Sequence, residues 1–277
     1  MRADFEVQGV RVPWLLYGTA WKETRTAALT SLAIAAGFRG IDTANQRKHY
    51  LETGVGEALA ASPVPRDRIF VQTKFTYARG QDHRLPYDPA ASLTTQVQQS
   101  FASSLEHLGI DRLDALVLHG PTLRSGWSSA DRQVWRAMED LHESGSVRLL
   151  GISNIEYDQL VLLCEDAAVA PAIVQNRCYA DTGWDREVRG LCRDRGIVYE
   201  GFSLLTANAA ALADAKVFAI ASRIGATIPQ VVLRFANAIG IVALTGTTNT
   251  THMEQDLAAL DIPLTPEDIA ALETLAG

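Results

Sequence analysis

Apolar residues recur along this chain with two different periods. Short runs rich in Val, Ile, Leu and Ala alternate with longer stretches whose apolar positions return at helical spacing. The short runs read as strands buried on both faces, and the long stretches as amphipathic helices. The runs lie near residues 14–17, 40–42, 69–73, 115–119, 149–152, 173–175, 198–202 and 241–244. The stretches between them, 24–36, 52–60, 92–108, 130–143, 157–165, 186–195, 229–239 and 251–260, have helix length and one polar face. Strands that alternate with helices in this way predict parallel pairing through crossover helices.

Eight such strands predict closure into a (β/α)₈ (TIM) barrel, with residues 1–277 as one domain. Residues 4–12 read as a β-hairpin plugging the barrel floor, and 264–275 as an extra C-terminal helix. The rival architecture is an open doubly wound sheet. It usually carries a G-x-G-x-x-G turn after its first strand, and Tyr17-Gly18-Thr19-Ala20-Trp21 does not supply one.

Composition removes several classes of function. A chain of 277 residues with 47% hydrophobic and 21% charged positions can bury one large core. Its net charge of −7 leaves no basic excess for nucleic acid. No apolar run reaches the roughly 18 residues of a membrane span, and Met1-Arg2-Ala3-Asp4-Phe5-Glu6 lacks the layout of a secretory leader, so a soluble, cytoplasmic protein is expected. Cys164, Cys178 and Cys192 lack C-x-x-C spacing, and no His pair has H-x-x-x-H spacing. No metal site is expected, and the cysteines read as buried or half-buried thiols.

In a barrel of this kind chemistry sits at the C-terminal ends of the strands, so a polar residue closing an apolar strand is a candidate. Asp42, Lys74 and His119 each occupy such a place. Singly, each has a plain structural reading: a helix cap, a surface lysine, a satisfied core imidazole. An acid, an amine and an imidazole converging on one rim read as a reaction site.

The segment Gly37-Phe38-Arg39-Gly40-Ile41-Asp42-Thr43-Ala44, a following Tyr, and Val55-Gly56-Glu57-Ala58-Leu59 resemble the signature of the aldo-keto reductase family. Gln72-Thr73-Lys74, Leu118-His119-Gly120-Pro121, Gly151-Ile152-Ser153-Asn154 and Val174-Gln175-Asn176 resemble its later landmarks, in the same order, so that the resemblance runs from about residue 8 to about 262. It implies an NAD(P)H-dependent oxidoreductase that reduces an aldehyde or ketone to an alcohol. Hydride arriving at a carbonyl carbon leaves charge on oxygen, which needs a proton donor and a group to hold it. The implied roles are Tyr50 as proton donor, Lys74 as the cation that lowers the phenol's pKa, Asp42 as the anchor of Lys74, and His119 as the group orienting the carbonyl. One departure stands out. Where the family has its Tyr this chain has Arg47, and either Tyr50 or His49 can fill the corner, Tyr50 being favoured by the similarity of Gln46-Arg47-Lys48-His49-Tyr50-Leu51-Glu52 to one branch of the family.

The resemblance also implies the cofactor contacts. Ser153, Asn154 and Gln175 would hold the nicotinamide amide and Phe202 its ring face, with Thr19, Asp42, Ser203, Leu205 and Asp256 also in contact. Gly246-Thr247-Thr248-Asn249, with Thr251 opening a helix, would meet the phosphates through backbone N–H groups. Many family members clamp the 2′-phosphate of NADPH with a Lys and an Arg where this chain has Gly246 and His252, so NADPH is expected with NADH as the alternative. Trp21, Trp127 and Arg124 sit on loops expected to rim the substrate mouth beside Tyr50 and His119, although Trp127 equally suits packing of its own loop. Two other functions remain open: a nucleotide-binding regulatory barrel without turnover, motivated by the Tyr spacing, and a non-redox barrel lyase or isomerase. Monomer and weak dimer are left undecided.

Overall fold

The computed structural model of the protein describes residues 4–275. Residues 1–3, part of the segment examined for a leader, and the final two of the 1–277 span lie outside the described residues. Strands β1 (Asp4–Val7) and β2 (Val10–Pro13) form an antiparallel hairpin. Its turn at Gln8-Gly9 has both residues at positive φ, 49° and 70°, which matches the right-handed twist of the flanking strands. The strands that follow are β3 (Leu15–Gly18), β4 (Gly40–Asp42), β5 (Phe70–Phe75), β6 (Leu113–Leu118), β7 (Val147–Ser153), β8 (Ile173–Arg177), β9 (Val198–Phe202) and β10 (Ile241–Thr245). They pair in parallel and close on themselves, β10 returning to β3. All eight expected strands are present. Several run longer than their apolar pattern, and β5 continues past residue 73 to include Lys74 and Phe75.

Helices α1 (Thr26–Ala36), α2 (Glu52–Ala61), α3 (Leu93–Leu108), α4 (Ser129–Glu143), α5 (Tyr157–Asp166) and α6 (Arg186–Arg195) fall where periodicity put them. Their starts follow local chemistry. Ser92 accepts the Thr95 N–H to open α3, and Ser128 with Asp131 forms a reciprocal capping box on α4. The β9–β10 connection departs from expectation, since α7 (Ala209–Leu212) and α8 (Ala215–Ile224) precede α9 (Ile228–Ala238). The missed segment is Ala-rich with an Asp214 cap and a left-handed Gly225 after it, an ordinary helix by propensity and ends. Its apolar positions simply resembled a connecting loop. The chain ends with α10 (Thr250–Leu257) and α11 (Pro266–Glu273), the latter capped by Thr265 and Asp268.

Side chains alternate along each strand, so residues two apart share a face. Leu16, Phe70, Ala115, Leu149, Ile173, Val198 and Val242 point inward and pack on Val7, Val10 and Val12 of the hairpin, which seals the floor. Two residues further along, the interior turns polar: Phe70 gives way to Gln72 and then Lys74, Ile173 to Gln175, and Val198 to Glu200. The apolar half of the barrel therefore holds it shut, and the polar half faces the mouth. Among the described residues no single helix is long and apolar enough to cross a membrane. Cys178 and Cys192 are buried and Cys164 half-buried, all as free thiols.

Candidate active site

Asp42 closes β4, and in-register pairing sets it beside Gln72 of β5. Lys74, two residues on and facing the same way, places its ammonium 2.5 Å from Asp42 Oδ1 and 2.8 Å from the Thr43 carbonyl. Both side chains are buried, at 1% and 4% exposure. Such a pair is expensive to desolvate, and separating it would leave a bare charge in the barrel. Burial pushes the Lys74 pKa down, but Asp42, Tyr50 and Glu200 together carry it above the ordinary lysine value, so the ammonium stays charged.

The loop after β4 stays attached to β5, with the Thr43 and Asn45 N–H groups donating to the Gln72 and Lys74 carbonyls at 3.0 and 3.2 Å. It then winds into one turn, in which the N–H groups of His49 and Tyr50 both reach the Gln46 carbonyl. This turn absorbs the altered spacing. The Tyr50 ring comes to lie 5.5 Å from the Lys74 ammonium and 6.1 Å from the His119 ring. The His49 ring turns the other way and stacks on Trp21 at 3.8 Å. Of the two alternatives, Tyr50 is the one brought to Lys74.

The expected effect on the phenol needs correcting. Burial raises the Tyr50 pKa, Lys74 pulls it back and Asp42 adds to the rise, and the balance stands above an ordinary phenol. Desolvation of the phenolate outweighs the nearby cation.

His119 follows β6, its N–H donating to the Phe75 carbonyl at 2.9 Å, which sets it opposite Thr76. Its Nδ1 lies 2.7 Å from Thr76 Oγ1. Burial, with the charges of Lys74 and His49, depresses its pKa to about 3, so the ring is neutral at ordinary pH. It borders a cleft of about 650 Å³ whose walls include Gln46, Arg79, Pro121, Leu123 and Arg124. Trp21 stands at the rim, 68% exposed and with a left-handed φ of 62°. Trp127 does not: it is 6% exposed and packs within the main core, so the loop-packing alternative holds and Trp127 leaves the set of mouth residues.

Three residues that the strand pattern did not single out also belong to this site. Gln72 and Glu200 share their strand faces with Lys74 and Phe202, two positions away. Gln72 Nε2 donates to Asp42 Oδ1 and to Glu200 Oε2, each at 2.8 Å. Thr76, two beyond Lys74, meets His119.

The expected cofactor residues line the same rim. The Gln175 amide nitrogen is turned inward, 3.0 Å from Asp42 Oδ1 and 2.7 Å from Glu200 Oε2. Asn154, left-handed at φ 54°, donates to the His119 carbonyl at 2.8 Å and to Ser153 Oγ at 3.0 Å. Thr19 Oγ1 donates to the Asp42 carbonyl at 3.0 Å. Phe202 is half-buried, with the Arg177 guanidinium 5.3 Å from its ring, and Leu205 and the left-handed Ser203 follow it. Thr245 Oγ1 donates to Asp256 at 2.8 Å. Gly246, Thr248 and His252 are exposed and Thr247 is half-buried. The helix start also differs from expectation. α10 opens at Thr250, and Asn249 Oδ1 already accepts the N–H groups of Thr251 and His252 at 2.9 and 3.3 Å, so those donors are spent. Along this edge the backbone is bare, and a Cβ added to Gly18 would meet the Thr245 carbonyl at 3.4 Å.

Residues 14–276 match the model of the aldo/keto reductase family. The chain belongs to that family. It is 29% identical to a glyoxal reductase of Bacillus subtilis over 273 residues, which covers 96% of this chain and 90% of that protein. It is 28% identical to a 9,11-endoperoxide prostaglandin H2 reductase of Trypanosoma cruzi over 272 residues, 96% of this chain and 88% of that one. The crystal structure of an aldo/keto reductase from Brucella melitensis superposes with a TM-score of 0.82 at 26% identity, covering 96% of both chains. An aldo-keto reductase solved in complex with NADPH superposes at 0.83 over 98% of this chain and 87% of that one; at 22% identity this likeness is one of fold alone.

Proposed function

We propose that this protein is an NADPH-dependent aldo-keto reductase, acting as one domain, that reduces the carbonyl of an aldehyde or ketone to an alcohol. The observation that carries the reading is the buried Asp42–Lys74 pair at 2.5 Å, beneath Tyr50 and across from a neutral His119. The rim residues fit a nicotinamide dinucleotide. Phe202 offers a ring face, Ser153, Asn154 and Gln175 offer amide and hydroxyl groups, and the bared backbone at Gly18 and Gly246 admits close approach. When bound, the reduced nicotinamide supplies the hydride.

The protein's own part is to manage the oxygen. Tyr50 keeps its proton throughout the working pH range because its pKa is raised. It can still give that proton up. An alkoxide is about as basic as hydroxide, whose conjugate acid has a pKa near 16, and so outcompetes a phenolate for the proton. Lys74 stabilises the phenolate left behind, and Asp42 keeps Lys74 charged and aimed. In the tautomer in which Thr76 Oγ1 donates to His119 Nδ1, the ring proton sits on Nε2 and can be donated to the carbonyl oxygen. A neutral ring suits this task, since it polarises the oxygen without competing to protonate it.

Fluorescence titration with NADPH and NADH, followed by loss of reduced-cofactor absorbance with a panel of aldehydes and ketones, tests the reading. Carbonyl-dependent oxidation is the expected result. Nucleotide binding without turnover on any carbonyl would favour a regulatory barrel instead. A protein that binds neither nucleotide is no reductase.

A further inference from the structure

We propose that Arg79 and Arg124 select a carbonyl substrate that carries an anionic group, a carboxylate or a phosphate, on the same small molecule. The inference rests on the reductase reading above and names the substrate class of that site.

The cleft beside His119 has three charged residues in its wall, Arg79, Arg124 and Glu156. Two positive charges thus face one negative, in a chain whose net charge is −7. Among the described residues neither arginine forms an ion pair, with Glu156 or with any other carboxylate. Arg79 is held in place all the same. It donates to the Pro121 carbonyl through Nη2 and to the Thr122 carbonyl through Nη1, two and three residues past His119. Carbonyls orient a guanidinium without neutralising it, and these bonds leave the rest of its donor fork free. An anion meeting such a fork finds it already aimed, so little side-chain freedom is lost on binding.

The loop that carries Arg124 is built as firmly. Buried Asp131 accepts from the Tyr77 hydroxyl at 2.9 Å, from the Thr122 N–H at 2.8 Å and from the Ser128 hydroxyl at 2.6 Å. Gln159 Nε2 donates to the Leu123 and Gly126 carbonyls at 3.0 and 2.9 Å, on either side of Arg124. From this pinned loop the Arg124 side chain stands exposed.

The same wall reaches the reacting groups. Gln46 Nε2 donates to the Gly80 carbonyl at 2.7 Å, and the Gln46 carbonyl accepts the Tyr50 N–H. Thr76, in the same segment as Arg79, meets His119. A small molecule whose carbonyl oxygen sits at His119 fills this cleft with its other end toward the arginines. A charged group there gains charge-assisted hydrogen bonds that a neutral one lacks.

Matched substrate pairs test the assignment: succinic semialdehyde against its methyl ester for the carboxylate, and glyceraldehyde phosphate against glyceraldehyde for the phosphate. Wild type should turn over at least one anionic member with kcat/KM about tenfold or more above that of its neutral partner, an advantage that shrinks as ionic strength rises. The pair that shows it tells carboxylate from phosphate. Arg79→Gln and Arg124→Gln should each collapse that ratio, and Arg124→Lys should retain most of it. A purely structural role would lower both members of a pair alike and leave the ratio untouched. Equal treatment of both members of each pair by wild type, or variants that keep the wild-type ratio, overturns this assignment alone. Absence of turnover with every carbonyl overturns the reductase reading and this assignment with it.

Discussion

Asp42 on β4 and Glu200 on β9, three strands apart around the barrel, are joined twice through amide nitrogens. Gln72 Nε2 bridges them at 2.8 and 2.8 Å, and Gln175 Nε2 at 3.0 and 2.7 Å. Two carboxylates then share one buried ammonium, Lys74, which cannot neutralise both. Burial, the largest cause, and the charge of Asp42 raise the Glu200 pKa from 4.5 to about 7, against the opposing pull of the two amides and Lys74. Glu200 is the member of the network that carries the proton.

That assignment fixes a pH dependence of stability. Between pH 4.5 and about 7 the folded protein holds a proton on Glu200 that the unfolded chain has released. Its stabilising share is complete below pH 4.5 and is lost as pH rises through 7, by up to about 3 kcal/mol. Glu200→Gln keeps an acceptor for both amides and should abolish this slope. Denaturant unfolding of wild type and variant across the window measures it, and an unchanged slope would mean that Glu200 is ionised throughout.

His119 acts in the opposite sense. Its pKa falls from 6.5 to about 3, so over that interval the unfolded chain binds a proton that the folded protein refuses. Stability therefore rises with pH up to about 6.5. In wild type this trend and that of Glu200 offset each other where they overlap. In Glu200→Gln the offset from Glu200 is gone, so stability of the variant should rise more steeply with pH than that of wild type. NMR of the imidazole should report a neutral ring at pH 5, and a ring titrating near 6.5 would refute the assignment.

Tyr50→Phe should lower kcat by about 10²- to 10⁴-fold while leaving nucleotide binding and melting temperature nearly unchanged, the usual scale for removing a positioned proton donor. His49→Phe preserves the stack on Trp21 and should retain most of the turnover. The reverse order of effects would transfer the donor role to His49 and oblige the turn at Gln46–Tyr50 to rearrange when substrate binds.

How much of this was legible in the sequence follows from the geometry. The barrel was readable because parallel strands buried on both faces leave continuous apolar runs, and Asp42 and His119 because each interrupts such a run at its end. Gln72 and Glu200 were not, since a polar residue inside a strand looks like a break in the pattern unless the mouth half of the barrel is already known to be polar. Trp127 misled because a loop near the mouth can fold its largest side chain into the core. α8 was lost because one long connection can hide a whole helix among small residues.

The family-like segment Val55-Gly56-Glu57-Ala58-Leu59 owes its glycine to packing, which yields a last prediction. A Cβ on Gly56 would lie 2.2 Å from the His107 carbonyl oxygen and 3.0 Å from backbone atoms of Leu108. Backbone cannot move aside as a side-chain tip can, so α2 and α3 must separate. Gly56→Ala should cost about 1–3 kcal/mol or more, the range for overpacking a close interface. The shift would also reach the site, because α2 begins two residues after Tyr50, and Glu52 at its start accepts from Thr73 Oγ1 at 2.5 Å and lies 3.1 Å from His107 Nδ1. Gly190→Ala in α6 is the matched control. Its Cβ would meet only the tip of Arg193 at 4.0 Å, and removing a helical glycine there should be neutral or stabilising by about 0.5–1 kcal/mol. Melting temperatures of the two variants check the contrast, with a drop in kcat expected for Gly56→Ala alone. Equal melting temperatures would show that α2 and α3 have slack to spare and that this glycine is not held by its contact with residue 107.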